Sequence, residues 1–266
     1  PKGNMSGPNY NYAAVASTTH GYFAGGNTPS LSSAVNRLDF ANDTATPIAR
    51  GNLSHDRADG VRGAGNDLFG YIMGSSPSIG TRVTRIQYYN DTATSAPKGN
   101  LAFAQNDHGA TGNQNYAWNS QGTPSCISRV QRVDYANDTS TAVEKGNSGI
   151  AVERNGGVGN ADYGYFGGGS TSPWSNRSEV YRVDYSNDTA TSSRKGDLSQ
   201  ARYVSLASFG SNSYGYFAGG SSPSNSTRVD RIDYSNDTAT MAVKGPLTSG
   251  RYMAGGFSGQ ENGLPQ

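Results

Sequence analysis

The chain has 266 residues, with 21 basic and 20 acidic side chains for a net charge of +1, a single cysteine, 36 glycines and 17 tyrosines in a sequence that is 33% hydrophobic. So balanced a charge excludes the basic field that drives binding to nucleic acid or to an anionic membrane surface. The lone Cys126 excludes an intrachain disulfide framework and a multi-cysteine metal site.

The mixture is poor in helix formers and rich in turn formers and β-favouring aromatics, which predicts an all-β protein. Regularly spaced Val, Ile, Tyr and Phe separate it from a disordered chain of similar polarity. No apolar run approaches the ~20 residues that a membrane-spanning helix needs, so no membrane insertion is expected.

Taken in chain order, one phrase returns five times: "RLDFANDTAT" from Arg37, "RIQYYNDTAT" from Arg85, "RVDYANDTST" from Arg132, "RVDYSNDTAT" from Arg182 and "RIDYSNDTAT" from Arg231. Its aspartates, Asp43, Asp91, Asp138, Asp188 and Asp237, are 48, 47, 50 and 49 residues apart. Tyr22, Tyr71, Tyr116, Tyr165 and Tyr216 keep nearly the same step inside "GYFAGG", "GYIMGS", "NYAWNS", "GYFGGG" and "GYFAGG". The units run over about 8–51, 57–99, 105–146, 154–196 and 202–245, with 246–266 as a terminal closing segment.

Each unit offers four extended segments. The first strands read "YAAVAS", "ADGVRGAG", "NDHGATG", "NGGVGN" and "VSLASF"; the second carry the Tyr landmark, the third the Arg-x-Asp phrase, and the fourth runs such as "TATPIARG" and "TATMAVKG". Clusters of Gly, Ser, Asn, Asp and Pro separate them, as hairpin turns require. Four antiparallel strands per unit of about 50 residues is the blade of a β-propeller, and five blades in a single domain over 1–266 is the expected architecture. The alternative is that these residues are the C-terminal part of a longer repeat protein.

The units resemble kelch repeats, on the Gly-Gly pairs Gly25-Gly26, Gly168-Gly169 and Gly219-Gly220 with an aromatic just before them. The second and third units depart from the pattern, with Gly74-Ser75 and Asn119-Ser120, and the fourth strands lack the kelch tryptophan. The wording "DYSNDTATxxxKGxLSxxRY" also resembles repeat proteins of marine bacteriophages, particularly cyanophages. That likeness implies a virion or extracellular location and a structural role, in a homo-oligomer or virion assembly.

The recurring words are expected to hold the blades together. Two residues apart on a strand share a face, so Arg37 with Asp39, Arg132 with Asp134, Arg182 with Asp184 and Arg231 with Asp233 predict a cyclic set of inter-blade contacts between Arg or Lys and these aspartates. Every lysine precedes a glycine, and Arg50 takes that place in the remaining copy. Gln87 replaces the aspartate in the second unit, so a weaker contact is expected there. "NDT" reads as a turn, because Asn and Asp bond their own backbone; one Asp and one Asn per turn supply too few oxygens for calcium.

Activity is expected in the loops that differ between units. The loop "STSPWSNRSE" places Trp174 beside Asn176 and Arg177, a platform for a sugar ring or a partner side chain. Trp118, inside a strand, is expected in the core. At the channel mouth Asp59, Asp107 and His108 are the ionisable candidates, which leaves a glycosidase-like enzyme as the alternative. The three histidines show no metal-ligand spacing, so no metal and no cofactor is expected. The preferred reading is a non-enzymatic interaction module without catalytic residues, binding a protein partner or a surface glycan.

Overall fold

The computed structural model describes residues 2–5, 7, 9–27, 30–55, 60–75, 80–123, 126–203 and 207–257. Five four-stranded antiparallel sheets follow one another, and in each the strands lie in sequence order from the first, inner strand to the fourth, outer one. The first is formed by Ala13–Ala16, His20–Ala24, Val35–Asp39 and Ile48–Ala49, and the fifth by Ala207–Gly210, Tyr214–Ala218, Val229–Asp233 and Ala242–Val243. Apart from single turns of 3-10 helix there are no helices among the described residues. The chain is therefore a β-propeller of five four-stranded blades.

Hairpin chemistry is repeated from blade to blade. Between first and second strands, Asn66, Asn113 and Asn160 each accept two backbone N–H bonds through their side-chain oxygen, and Ser17 and Ser211 do the same with a hydroxyl. Local side-chain caps of this kind fix a tight turn without help from the rest of the fold.

Strand register corrects the sequence alignment of the third unit. Trp118 pairs with Arg132 as Tyr22, Tyr71, Tyr165 and Tyr216 pair with Arg37, Arg85, Arg182 and Arg231. The tryptophan, not Tyr116, thus occupies the repeated tyrosine position, and it is fully buried. The counterpart of the Gly-Gly pair in this unit is Gln121-Gly122, not Asn119-Ser120, and both residues have positive φ like Gly25 and Gly26. Tyr116 sits two residues earlier, with the Arg132 guanidinium over its ring.

The blades are joined through the aspartate of the "NDT" turn. Asp138 accepts from the Tyr71 hydroxyl at 2.9 Å, pairs with Arg85 at 2.7 Å and Lys98 at 3.0 Å, and its carbonyl accepts from Gly99 N–H at 2.8 Å. Asp91 repeats this with Tyr22, Arg37, Arg50 and Gly51; Asp237 repeats it with Tyr165, Arg182, Lys195 and Gly196. At Asp188 the indole N–H of Trp118 replaces the tyrosine hydroxyl at 2.8 Å, beside Arg132, Lys145 and Gly146. An aromatic stack completes each junction: Tyr22 on Tyr88, Tyr71 on Tyr135, Trp118 on Tyr185, Tyr165 on Tyr234.

The expected inter-blade ion pairs therefore exist, but their carboxylates are not the ones two residues after the arginine. Asp39, Asp134, Asp184 and Asp233 instead accept from the backbone N–H of Ala41, Ala136, Ser186 and Ser235 at 2.9–3.0 Å. The strand ends at these residues, and the turn bends each carboxylate back onto its own chain. Gln87 lacks this cap, yet the Arg85 to Asp138 junction is as short as the others, so the weaker contact expected in the second unit does not occur.

Residues 254–257 complete the inner ring. A Cβ built on Gly255 would touch Ala14 and Tyr12 of the first blade, and one on Gly256 would touch Ser208 and Phe209 of the fifth. The central channel is narrow. Tyr12, Ala14, Arg62, Gly63, Ala110, Gly156, Gly157, Ser208 and 254–256 line a space of about 40 Å³, room for a water or two but not for a sugar ring.

Candidate functional site

The loops entering the first strands and those following the second strands are stitched together by backbone bonds, as between Asn106 and Thr123 and between Glu153 and Ser170. They form one end of the propeller. One residue adopts the left-handed backbone conformation immediately before the inner strands of the first four blades, Asn11 (φ 57°), Gly60 (74°), Asp107 (50°) and Arg154 (59°), and another before 254–257, Met253 (55°); the matching position of the fifth blade lies outside the described residues. Neighbours in this ring are joined, since Asp107 N–H donates to Gly60 O at 3.1 Å, Arg154 N–H to Asp107 O at 2.6 Å, and Asn11 N–H to Met253 O at 3.1 Å. Left-handed geometry costs a non-glycine residue roughly 1 kcal/mol or more. The inter-blade bonds hold it in place, and the side chains of the ring differ at every described position.

At this end the structure brings together two of the sequence candidates. The Arg154 guanidinium lies 4.7 Å from the centre of the Trp174 ring, and its Nε is 3.3 Å from Asp107 Oδ2. Its Nη1 is 3.7 Å from Glu153 Oε1. Trp174, with φ of 91°, follows the cis Ser172–Pro173 bond and is 62% exposed. Burial holds the Glu153 carboxyl above its usual range; Arg154 pulls it down and Asp107 pushes it up. An aromatic face, a cation and two carboxylates within one cluster can bind a polyhydroxylated or cationic ligand through stacking and charge-assisted hydrogen bonds.

Asn176 and Arg177 do not join this cluster. Asn176 Nδ2 donates to Ser222 Oγ of the next blade at 3.3 Å, and Arg177 pairs with Glu179 at 3.1 Å. Asp59 lies outside the described residues. His108 corrects the expectation of an ionisable group at the channel mouth: it is fully buried beneath the loops, where a Cβ on Gly74 would strike its ring. Burial first, then the Arg62 charge, pushes its imidazole down to about 3, against a smaller pull from Asn119. Cys126 is half-buried with its thiol pushed up, chiefly by burial. No cluster of metal-ligating side chains occurs among the described residues, and no helix is long and apolar enough to cross a membrane.

The histidine makes a testable pH prediction. Above pH about 6.5 the ring is neutral in folded and unfolded chains alike; below it the unfolded chain takes up a proton that the folded one refuses, so stability falls as pH drops toward about 3. Denaturant titrations at pH 7 and pH 5 should show a loss about 2 kcal/mol larger in the wild-type protein than in His108→Gln. An equal loss in both would show that carboxylates alone carry the acid sensitivity.

Arg154 and Glu153 are the residues that the sequence reading passed over. Their signal was present: Gly60, Asp107 and Arg154 recur at intervals of 47 residues, so aligning the units on the inner strands points to one variable ring.

No family model matches the sequence, and no curated protein matches it. Among solved structures 509 chains match. One of them, YjhT, superposes with a TM-score of 0.75 over 96% of this chain and 89% of its own, at 14% identity. That likeness shows the propeller fold and nothing about activity.

Proposed function

We propose that this β-propeller is a non-enzymatic binding module that takes a surface glycan at its loop end, on the exposed face of Trp174, as a component of a virion or virion appendage. The observation that carries the reading is the Trp174 ring, backed by a guanidinium that Asp107 and Glu153 hold in place. A rigid aromatic platform rimmed by fixed polar groups is the usual way to hold a sugar's apolar face and its hydroxyls at once. The blades then act as scaffold, and specificity lies in the side chains that differ between units. The virion setting rests on the resemblance of the repeated phrase to phage repeat proteins.

A glycan array followed by titration of the best ligand tests this. Trp174→Ala should weaken binding at least tenfold with an unchanged melting temperature, whereas retention of affinity would remove the platform from the argument. A protein ligand would leave the array blank and shift the search to pull-down.

A second reading, a carbohydrate-active enzyme, is favoured by one observation: Arg154 gathers two carboxyl groups into one cluster, Asp107 at 3.3 Å and Glu153 at 3.7 Å, and burial raises the Glu153 carboxyl above its usual range. It moves the site from the channel mouth proper to the Arg154 cluster. Turnover of an array ligand that disappears in Glu153→Gln would establish it in place of the first reading.

A further inference from the structure

Between the fifth blade and the first lies a sixth radial place that the described residues fill in part. Residues 254–257 take the place of its inner strand: Phe257 presses on Gly21 as Val15 presses on Gly70, Thr111 on Gly164 and Val158 on Gly215. The Lys2-Gly3 segment takes the place of its outer strand. Lys2 pairs with Asp43 at 3.2 Å and Gly3 N–H donates to Asp43 O at 2.9 Å, the bonds that Lys98 and Gly99 make to Asp138. The second and third strands of this sixth place have no counterpart among the described residues.

Both walls of the gap carry groups whose partners can be read from the four complete junctions. On the fifth blade, no described aspartate meets Arg231, Lys244 or the N–H of Gly245, no described atom lies within 4 Å of a Cβ built on Gly245, and Tyr216 stacks on Phe209 of its own blade rather than on an aromatic of a neighbour. On the first blade, Phe23 and Leu38 are half-exposed, whereas Ile72, Phe166, Phe217 and Ile86, Val183, Ile232 at the same places are buried. They line a cavity of about 710 Å³ with Tyr12, Pro47 and Arg251, and Gly3, Asn4, Met5, Gly7 and Asn9 of the N-terminal segment form the rest of its wall. Among the described residues Asp43 holds Lys2 alone, with neither the Tyr hydroxyl nor the Arg guanidinium that Asp91, Asp138 and Asp237 accept, and its side chain is 42% exposed against 6–8% for the others.

We propose that this sector is a docking site for a β-hairpin of the chain's own repeat chemistry: a second strand with its tyrosine, a third strand with its arginine, and an Asn-Asp-Thr turn. One such hairpin satisfies both walls at once. Its turn aspartate meets Arg231, Lys244, Tyr216 and Gly245 N–H, its tyrosine and arginine meet Asp43, and its apolar face covers Phe23 and Leu38. Charge complementarity selects it over a generic apolar partner, because one wall is cationic and the other ends in a carboxylate.

The probe is a labelled synthetic peptide copying residues 211–240, titrated into the full chain by fluorescence anisotropy. Saturable binding is expected. It should weaken at least tenfold when the peptide carries Asp237→Asn, and again when the protein carries Arg231→Gln or Gly245→Ala, variants whose own melting should be unchanged. Since an isolated hairpin is marginally stable in water, a fusion placing residues 210–240 after Phe257, in place of 258–266, provides a second reading. Its melting temperature should rise by at least about 5 °C, and the rise should vanish with the turn aspartate changed to asparagine. Binding or stabilisation that ignores both the aspartate and Arg231 overturns the proposal, as does a fusion no more stable than the parent. A concentration-dependent dimer that excludes the peptide would assign the sector to a second copy instead.

Discussion

Asp138→Ala should lower the unfolding free energy by about 3–5 kcal/mol and the melting temperature by about 10 °C. Its carboxylate is 8% exposed and is the shared acceptor for Arg85, Lys98 and the Tyr71 hydroxyl. Removing it leaves two cations of neighbouring strands uncompensated in a largely dry junction, which costs more than the pairs contribute while intact. The Tyr71 phenol, pushed above its ordinary range by burial and then by Asp138, stays protonated and loses its acceptor. Asp43→Ala is the matched control: the same turn and the same sequence word, but an exposed carboxylate with Lys2 as its cation, so the loss should stay below about 1 kcal/mol. Equal losses at the two sites would mean that the turn conformation, not the junction, is what the aspartate serves.

Gly196→Ala should be comparably damaging, by about 3 kcal/mol, while Gly245→Ala should stay within about 0.5 kcal/mol of wild type. Both glycines follow a lysine, Gly196 within the fourth strand of its blade and Gly245 just beyond the fourth strand of the fifth. A Cβ on Gly196 would lie 1.9 Å from the carbonyl oxygen of Ala239 in the next blade, and Gly51, Gly99 and Gly146 are equally close to Ala93, Ser140 and Ala190. A backbone atom cannot swing away as a side chain can, so the blades must separate and stretch the Gly196 N–H bond to Asp237 O. Nothing lies within 4 Å of a Cβ on Gly245, because no described turn faces it. Urea unfolding of the pair separates the two cases. A harmless Gly196→Ala would show that the junctions are loose enough to absorb a methyl group.

These two pairs also divide what could be read in the amino-acid order from what could not. The period, the four strands per unit, the turns and the burial of Trp118 are consequences of neighbours in the chain: a turn residue caps its own backbone, and alternation along a strand is a local rule. Trp174 and Asp107 were legible as candidates because they depart from the repeat. That Arg154 joins them shows only when the units are aligned on their inner strands, since it comes from a different loop and lies next to an inner strand of small residues.

Sequence by itself therefore determined the blade and its repetition, because each depends on interactions spanning a few residues. Tertiary structure alone decided which carboxylate each arginine meets. Two-residue spacing put Asp39 on the same face as Arg37, but the strand ends there and the turn takes that carboxylate away, while Asp91, 54 residues on, arrives from the neighbouring blade. It alone decided, too, that Trp118 stands in a tyrosine's place and that residues 2–3 and 254–257 share one sector. Both follow from register and from packing around a closed axis, where a contact depends on how whole sheets are turned toward each other and leaves no mark in the order of the residues.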